Sequence, residues 1–394
     1  MATLIDIARV GRYCEVRTQR MSRVLILWNA SDDVVEHWRR DDRRAPDWDP
    51  SRVIEPWDTV AEEMDLLAAA LRGGGHEPVI VNIKDDFAVL HEAVAREQPD
   101  AVLNLVEWFH DDVENETFVP ALFELMNVAY TGNRPLALSL CQKKPHAKAM
   151  LVAAGLPTPR GIVIDKTIPD GFDLRFPVIV KPAYDDASGG IDATSVVHDR
   201  AALEARVARL YAEHRMVALV EEYIDGREIH CAIIGNDPPE ALPLYEMVFN
   251  GGVDENQQPL PNIITYRAKW DPFSRDYHAL SSKCPPDDLT PELAARMQDI
   301  ALRAYKTLGC RDYARVDMRL DRATNKPYIL EVNPNPDLAD GCAFAASVRA
   351  SGRTYEQAIC EIVELALERA RNRAPVSSGA PEMLLREYLA KRKA

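Results

Sequence analysis

Hydrophobic positions recur with two different periods along this chain, and each period predicts a different kind of element. The stretch Arg23-Val24-Leu25-Ile26-Leu27-Trp28 reads as a buried strand. A polar, Asp/Arg-rich stretch over 31–57 follows, interrupted by Trp38, Trp48 and Trp57, and reads as a long loop or an insertion with a short helix. From Thr59 the spacing turns helical, with Val60, Met64, Leu67, Ala68 and Leu71 on one face until Gly73-Gly74-Gly75 stops it. No strand precedes that triple glycine and no helix start follows it, so it fits a C-terminal cap and not a phosphate loop. A strand over 78–83, a helix over 85–97, a strand over 101–106, a helix near 116–126 and a short strand over 128–130 come next. Strands alternating with helices across short turns predict a parallel sheet in an α/β domain.

Residues 136–154 read as helical with a break near Pro145. Strands are expected over 161–164, 176–182, 216–224 and 228–234. Asp199 caps a helix whose stripe is Leu203, Val207, Leu210, Tyr211 and His214. A long segment over 241–271 is rich in Pro, Asn and Gly. Thr290 and Pro291 then start a helix that buries Leu293, Met297, Ile300, Ala301, Ala304 and Leu308, and Gly309 closes it. A last amphipathic helix spans 355–371. The expected organisation is an N-terminal extension (1–22), a parallel α/β domain (23–133), two α+β subdomains (134–224 and 225–372), and a linker with a short charged tail (373–394).

The most informative pattern lies at 315–337. Arg315-Val316-Asp317-Met318-Arg319-Leu320 and Tyr328-Ile329-Leu330-Glu331-Val332-Asn333 both alternate with period two, as half-buried strands do. Strict alternation places Val316, Met318 and Leu320 opposite Arg315, Asp317 and Arg319. It also places Tyr328, Leu330 and Val332 opposite Ile329, Glu331 and Asn333. The turn-rich 321–327 joins the two as an antiparallel hairpin. Paired this way, Asp317, Glu331 and Asn333 converge as two carboxylates and an amide oxygen, hard ligands suited to Mg²⁺ beside substrate phosphates. The same alternation also describes a solvated face of an antiparallel sheet.

A net charge of −15 excludes a general affinity for nucleic acid, though it leaves room for a local basic pocket. No apolar run approaches the roughly 20 residues of a membrane span, and residues 1–20 lack a signal-peptide apolar core. Seven scattered cysteines without a Cys-x-x-Cys pair predict reduced thiols in a cytoplasm. The histidines lack metal-binding spacing, which argues against zinc. His110, His230 and His278 read as packed or solvated, Lys148 as a surface lysine, and Cys342 as a buried small apolar residue.

Four separated features share one chemistry. Lys181 ends a strand before a glycine-bearing loop, Lys144 and Lys148 lie on or beside the central helical segment, and 221–228 spans a strand end fit to meet a nucleotide edge and ribose. Asp317, Glu331 and Asn333 supply metal ligands. Lysines and backbone amides for phosphates, with Mg²⁺ ligands, are what an ATP site needs. The Gly-x-x-x-x-Gly-Lys-Ser/Thr loop, a Gly-x-Gly-x-x-Gly after the first strand and a serine nucleophile elbow are all missing.

Across 101–370 the chain resembles the ATP-grasp ligases, nearest to the D-alanine–D-alanine ligases. Tyr130-Thr131-Gly132, Lys144, Ala153-Ala154-Gly155-Leu156-Pro157-Thr158-Pro159, Val180-Lys181-Pro182, Val220-Glu221-Glu222-Tyr223-Ile224-Asp225-Gly226-Arg227-Glu228, Ala268-Lys269, Gly309-Cys310-Arg311-Asp312-Tyr313-Ala314-Arg315-Val316-Asp317 and Leu330-Glu331-Val332-Asn333 fall in the family's order. The resemblance implies an α/β (α+β) ATP-grasp fold whose two subdomains clamp the nucleotide. It implies that Lys144 and Lys181 hold the ATP phosphates under a loop over 184–190 that includes Ser188. Glu221 and the backbone at Tyr223 and Ile224 would meet adenine, Glu228 the ribose and Lys269 the γ-phosphate. Asp317, Glu331 and Asn333 would bind two Mg²⁺ ions, with Mn²⁺ possible, and Arg315 would neutralise the acyl phosphate and the tetrahedral intermediate. The implied reaction joins a small-molecule or peptide carboxylate to an amine, in a protein expected to be homodimeric.

The substrate half departs from the family. Its first-substrate glutamate has no match in Asn29-Ala30-Ser31-Asp32-Asp33, its first loop serine is Ala187, and its tyrosine after Ala268-Lys269 is Trp270. The family's oxyanion glycine is Asp337, and its serine gripping the second substrate falls at Cys342. Substrates other than D-alanine are therefore expected. A thiol acceptor, an acyl-phosphate product and a nucleotide-binding regulatory protein without turnover stand as alternatives.

Overall fold

The computed structural model of the protein describes residues 21–372 apart from 30–32, 56 and 186. Most of the expected N-terminal extension, and the linker and charged tail, lie outside the described residues. The N-terminal unit contains β1 (Arg23–Trp28), α1 (Asp33–Arg39), α2 (Val60–Gly73), β2 (Glu77–Asn82), α3 (Phe87–Glu97), β3 (Ala101–Leu105) and α4 (Phe118–Met126). Its sheet is parallel in the order β2-β1-β3. Because β1 is apolar throughout, alternate side chains enter opposite cores. Val24 and Ile26 meet Met64, Leu67 and Leu71 of α2, while Leu25 and Leu27 meet Leu90, Val94, Val119 and Phe123 of α3 and α4. Thr59 caps α2 in a capping box with Glu62, and Gly74 ends it as expected. The short strand expected over 128–130 contributes a single bridge, Val102 to Tyr130.

α5 (Pro135–Gln142) and α6 (Lys144–Ala153) break at Lys143, because Pro145 in the first turn of α6 has no N–H to continue a helix. β4 (Gly161–Ile164), β5 (Val178–Pro182), β6 (Val196–Val197), α7 (Arg200–His214) and β7 (Ala218–Glu222) form the central unit. Its sheet is antiparallel in the order β4-β7-β5-β6. Val178, Val180, Ala218 and Val220 pack on Leu203, Val207 and Leu210 of α7. Period two then turns Lys181 and Glu221 to the opposite face.

The largest sheet is built from β8 (Gly226–Ile234), β9 (Glu240–Ala241), β10 (Tyr245–Phe249), β11 (Leu280–Lys283), β12 (Tyr313–Asp321) and β13 (Pro327–Asn333), in the order β11-β10-β8-β12-β13 with β9 on β8. The segment expected to be irregular over 241–271 contains β10 and the short helix α8 (Tyr266–Trp270), and α9 (Arg275–His278) follows. β10 is five residues long between Pro243 and the Asn250-Gly251-Gly252 turn, so the turn-forming composition on both sides masks it. α10 (Pro291–Thr307) packs Met297, Ile300, Ala301 and Ala304 on Ile229, Cys231, Ile233, Val316, Met318 and Leu320. Asp317 faces Glu331 and Arg315 faces Asn333 across the expected hairpin.

The strict alternation of β13 does not hold. Met318 pairs with Ile329 while Asp317 pairs with Glu331, so Leu330 is bulged out of register. The extra residue resets the phase. Ile329 therefore joins Val332 in the core, fully buried, instead of sharing the face of Glu331 and Asn333.

After the hairpin come α11 (Ala343–Ala350), which the sequence pattern did not disclose, and α12 (Tyr355–Asn372). α12 returns to the first sheet and packs Ile359, Ile362, Val363 and Ala366 into the core of Val24, Ile26 and α2. Asp312, fully buried, accepts hydrogen bonds from the Gly132 amide (2.9 Å), Asn236 Nδ2 (2.9 Å) and Arg369 of α12. Burial pushes its carboxyl up against the pull of Arg369. No helix among the described residues is long and apolar enough to cross a membrane.

Candidate functional site

The face of the central sheet that α7 leaves uncovered carries a buried charge cluster. Glu221, 1% exposed, accepts from Lys181 Nζ at 2.5 Å and from Lys148 Nζ. Lys148 also donates to Thr158 Oγ1 (2.6 Å) and Pro159 O (2.8 Å). Burial acts to raise the Glu221 carboxyl, yet the two ammonium groups outweigh it and hold the group below the usual range. Burial lowers the Lys148 ammonium, against Glu221. Lys148, expected on the surface, is thus a buried partner of Glu221. It lies beside Ala147, which packs into the core, so the helix carries it inward. The carboxylate of Glu221 is engaged by both lysines, and the Tyr223 amide donates to Pro177 O (3.0 Å) while Ile224 is buried.

On the largest sheet a line of alternating charge runs along the face away from α10. Arg319 meets Glu228 at 3.0 Å, Glu228 lies 3.4 Å from His230, and His230 lies 3.9 Å from Asp317. Arg315 closes on Asp317 with two bonds of 2.7 and 2.8 Å. Burial works to raise the Asp317 carboxyl; the Arg315 guanidinium, with His230, overcomes it and holds the carboxyl at about 2. Glu228 is also lowered, burial being outweighed by Arg319 and His230. Arg319 and His230, which sequence pattern did not single out as parts of the site, are set by register: Arg319 pairs with Glu228 and Asp317 with His230. Cross-strand partners of one face are readable only once the pairing of β8 with β12 is known.

Lys144 joins the two sheets. Its Nζ donates to the Asp185 carbonyl after β5 and stands 3.5 Å from Glu331 Oε2 on β13. Beyond Asp185, Ala187 and Ser188 both adopt the left-handed region (φ +52° and +63°), strain that a loop keeps only when its surroundings fix it. The Trp270 indole N–H does so from α8, donating to Ala187 O at 3.2 Å. Lys269, exposed, has its Nζ 4.6 Å from the Trp270 ring, and its charge helps lower Asp317.

Asp317, Glu331 and Asn333 offer only oxygens, and in this structure the two carboxylates are met by cationic side chains, Arg315 and Lys144. Facing acids that already gather positive charge fit a hard divalent ion. Among the described residues no three His, Cys, Asp or Glu side chains form a closed metal cage, so such an ion would take further oxygens from phosphate or water. The Asn333 amide oxygen accepts from the Asn335 amide (2.9 Å).

Past the hairpin, Asp337 is exposed and its carbonyl accepts the Cys342 thiol at 2.9 Å. Burial, with Asp337, pushes that thiol up to about 12. Glu63 of α2 accepts from Arg39 at 3.0 Å, and burial pushes its carboxyl up to about 7, with Arg39 opposing and Asp337 adding to the rise. The free carboxyl titrates near 4.5, so the folded chain holds an extra proton between there and about 7 and loses stability as pH rises through that window. Glu63→Gln is expected to gain stability over the parent across this window and to keep the gain above it. Melting temperatures in a pH series check this, and a constant offset at every pH would contradict it.

A family model described as D-ala D-ala ligase C-terminus matches residues 170–364. An uncharacterized protein of Sinorhizobium fredii is 34% identical over 324 residues, 80% of this chain and 90% of its own. The D-alanine–D-alanine ligase of Desulforudis audaxviator is 32% identical over 308 residues, 77% of this chain and 92% of its own. A crystal structure of the D-alanine–D-alanine ligase of Bacillus anthracis complexed with ATP aligns with a TM-score of 0.66 at 21% identity, over 90% of this chain and 99% of that one. That likeness shows the ATP-grasp fold. With ordered lysines, carboxylates and a clamping pair of sheets in place, and a ligase relative matched over nearly its full length, this chain belongs to the D-alanine–D-alanine ligase family of ATP-grasp enzymes, which form carbon–nitrogen bonds.

Proposed function

We propose that the chain is an ATP- and Mg²⁺-dependent carboxylate–amine ligase that makes an amide or peptide bond through an acyl phosphate, on amino acids or peptides other than D-alanine. The observation that carries the reading is the 3.5 Å approach of Lys144 to Glu331, which brings a phosphate-holding cation to the acidic hairpin across the cleft. Lys144 and Lys181 hold the phosphates, with Ser188 in the loop above them. Glu221, which also braces Lys181, meets adenine beside the backbone of Tyr223 and Ile224, and Glu228, locked by Arg319, takes the ribose. Asp317, Glu331 and Asn333 would hold two Mg²⁺ ions, or Mn²⁺, whose charge neutralises phosphate oxygens.

The substrate carboxylate oxygen attacks the γ-phosphorus and ADP leaves; the amine then attacks the acyl carbon, phosphate leaves, and the nitrogen's surplus proton passes to solvent or to the departing phosphate. Lys269 steadies the transferring group, and Arg315 neutralises the charge that develops on the acyl phosphate and tetrahedral intermediate. Positioning and charge supply most of the rate. Against D-alanine stands the substrate end: the exposed Asp337 carboxylate would repel the carboxylate of a second amino acid, and Cys342, a neutral thiol, grips it poorly. A homodimer belongs to this reading, supported by exposed Phe118 (60%), Leu125 (84%) and Leu136 (70%) on the neighbouring helices α4 and α5.

A screen of acid and amine pairs with ATP tests the function. ADP and phosphate should appear only when both partners are present, with the amide seen by mass spectrometry. No turnover across amino acids and short peptides would overturn the ligase, and efficient joining of two D-alanines would overturn the substrate assignment.

A further inference from the structure

Between the short helix α1 (Asp33–Arg39) and α2 (Val60–Gly73) the chain runs over residues 40–59 without a further helix or strand among its described residues, longer than most connections in a compact domain. The whole connection from β1 to α2 touches its own unit through Asn29, which bonds Asp85 and Glu107, and through Arg39, which pairs with Glu63 of α2. It reaches the segment 266–278, which belongs to the largest sheet, and each of its three tryptophans finds a ring there. Trp38 lies 6.5 Å from Tyr266, Trp48 meets His278 edge-on at 5.6 Å, and Trp57 lies 5.6 Å from Tyr277. The Trp48 indole N–H donates to Phe273 O at 2.8 Å. Arg43 stacks on Phe273 at 3.8 Å and Arg275 on Trp48 at 4.5 Å.

The far side of that segment is bonded to the loop after β5. Trp270 Nε1 donates to Ala187 O (3.2 Å) and the Tyr266 amide to Ile191 O (3.0 Å). Between the two contacts sits Lys269, its ammonium 4.6 Å from the Trp270 ring. Three parts of the chain, one from each sheet, are therefore fastened at α8 and α9.

We propose that residues 38–55 with Trp57 form a strap that, through Trp48 and Trp270, positions Lys269 and residues 187–191 and so keeps water from the phosphoryl group until the amide forms. The inference rests on the ligase reading. With the strap docked, Trp38 lies against Tyr266 of α8 and Trp48 against Phe273 and α9, and the left-handed Ala187 and Ser188 stay where Trp270 fixes them. With the strap loose, α8 keeps its bonds to the loop and its local ties to Glu255 and Asp276 but loses this outer support, and the loop's strain favours opening. Water can then attack the γ-phosphorus in place of the substrate carboxylate, giving ADP and phosphate with no amide. Trp48 and Trp270 are positioning residues: Trp48 acts on Phe273 and α9, which follow α8 directly, and neither tryptophan is required to touch substrate.

The test uses the full chain with Trp48→Leu and, separately, Trp270→Phe, which keeps a ring and removes only the N–H donor. The parent should release one ADP per amide formed. Each variant should raise that ratio by about fivefold, the worth of one lost hydrogen bond. A parallel fall of ADP and amide at an unchanged ratio would overturn the strap. Hydrogen exchange in the absence of substrates supplies a readout that does not need turnover. In Trp48→Leu the amides of 187–191 should exchange faster, although Trp48 itself contacts Phe273, His278, Arg52 and Arg275. Faster exchange confined to 266–278 would overturn the proposal. A parent without ADP or amide would overturn the ligase reading, and the exchange result would still decide the strap's contact with the loop.

Discussion

Glu221→Ala is expected to be the most damaging single substitution to the fold, costing about 3–5 kcal/mol, the usual penalty for removing one partner of a buried ion pair. Glu221 is 1% exposed and stands between Lys148 and Lys181, which are 9% and 7% exposed. Without it two ammonium groups remain out of water with no counter-charge, and Lys148 keeps only neutral acceptors in Thr158 and Pro159. At roughly 2–4 °C per kcal/mol, the melting temperature should fall by about 10 °C. The parent should show the same dependence in acid. The carboxyl is depressed when folded, so its contribution is fully present above the free value of 4.5 and is lost as pH falls through the folded value. Combining Glu221→Ala with Lys148→Met should recover part of the loss, because one stranded charge goes with it. A melting temperature that does not move would show that the carboxylate is not what holds the two lysines.

Arg315→Lys is expected to leave the fold and the ATP affinity nearly intact while lowering kcat by about 10²–10³-fold, the size seen when one preorganised charge stabiliser is removed. The Arg315 guanidinium makes two parallel bonds to Asp317, a geometry an ammonium cannot copy. Asp317→Asn should behave differently. It keeps the shape, removes a charge that the proposed function assigns to the metal, and should shift the Mg²⁺ concentration needed for half-maximal rate upward. Because Asp317 is held at about 2, its ionisation contributes no limb to the rate profile above pH 4. Equal effects of the two substitutions on kcat and on Mg²⁺ dependence would mean that the pair acts as one unit and that the separate roles are wrong.

The hairpin, the strand-end position of Lys181 and the parallel N-terminal sheet were legible in the chain because their signals are local. Period two set the faces of 315–320, and a strand end followed by small residues set Lys181. What escaped was either a defect in a period or a property of distant pairing. The bulge at Leu330 moved Ile329 to the core, and nothing in Tyr328-Ile329-Leu330-Glu331 marks the extra residue. Arg319 and His230 entered the site only through the register of β12 on β8. Lys148 belongs to the buried stripe Lys144, Ala147, Lys148 and Leu151 of α6, but a lysine on such a stripe reads as a solvated residue unless its buried partner, here Glu221, is known. The strap contacts join residues near 48 to residues near 273, a separation over which no periodicity speaks.

The placement of α12 has a consequence for how the chain is made. One flank of the first sheet, Val24 and Ile26 with α2, is sealed by Ile359, Ile362, Val363 and Ala366. During synthesis that flank stays bare until all of residues 134–354 have emerged. The leading unit therefore cannot finish folding on the ribosome as an independent body; it waits, with apolar surface open to chaperones or to self-association, for a helix translated near the end.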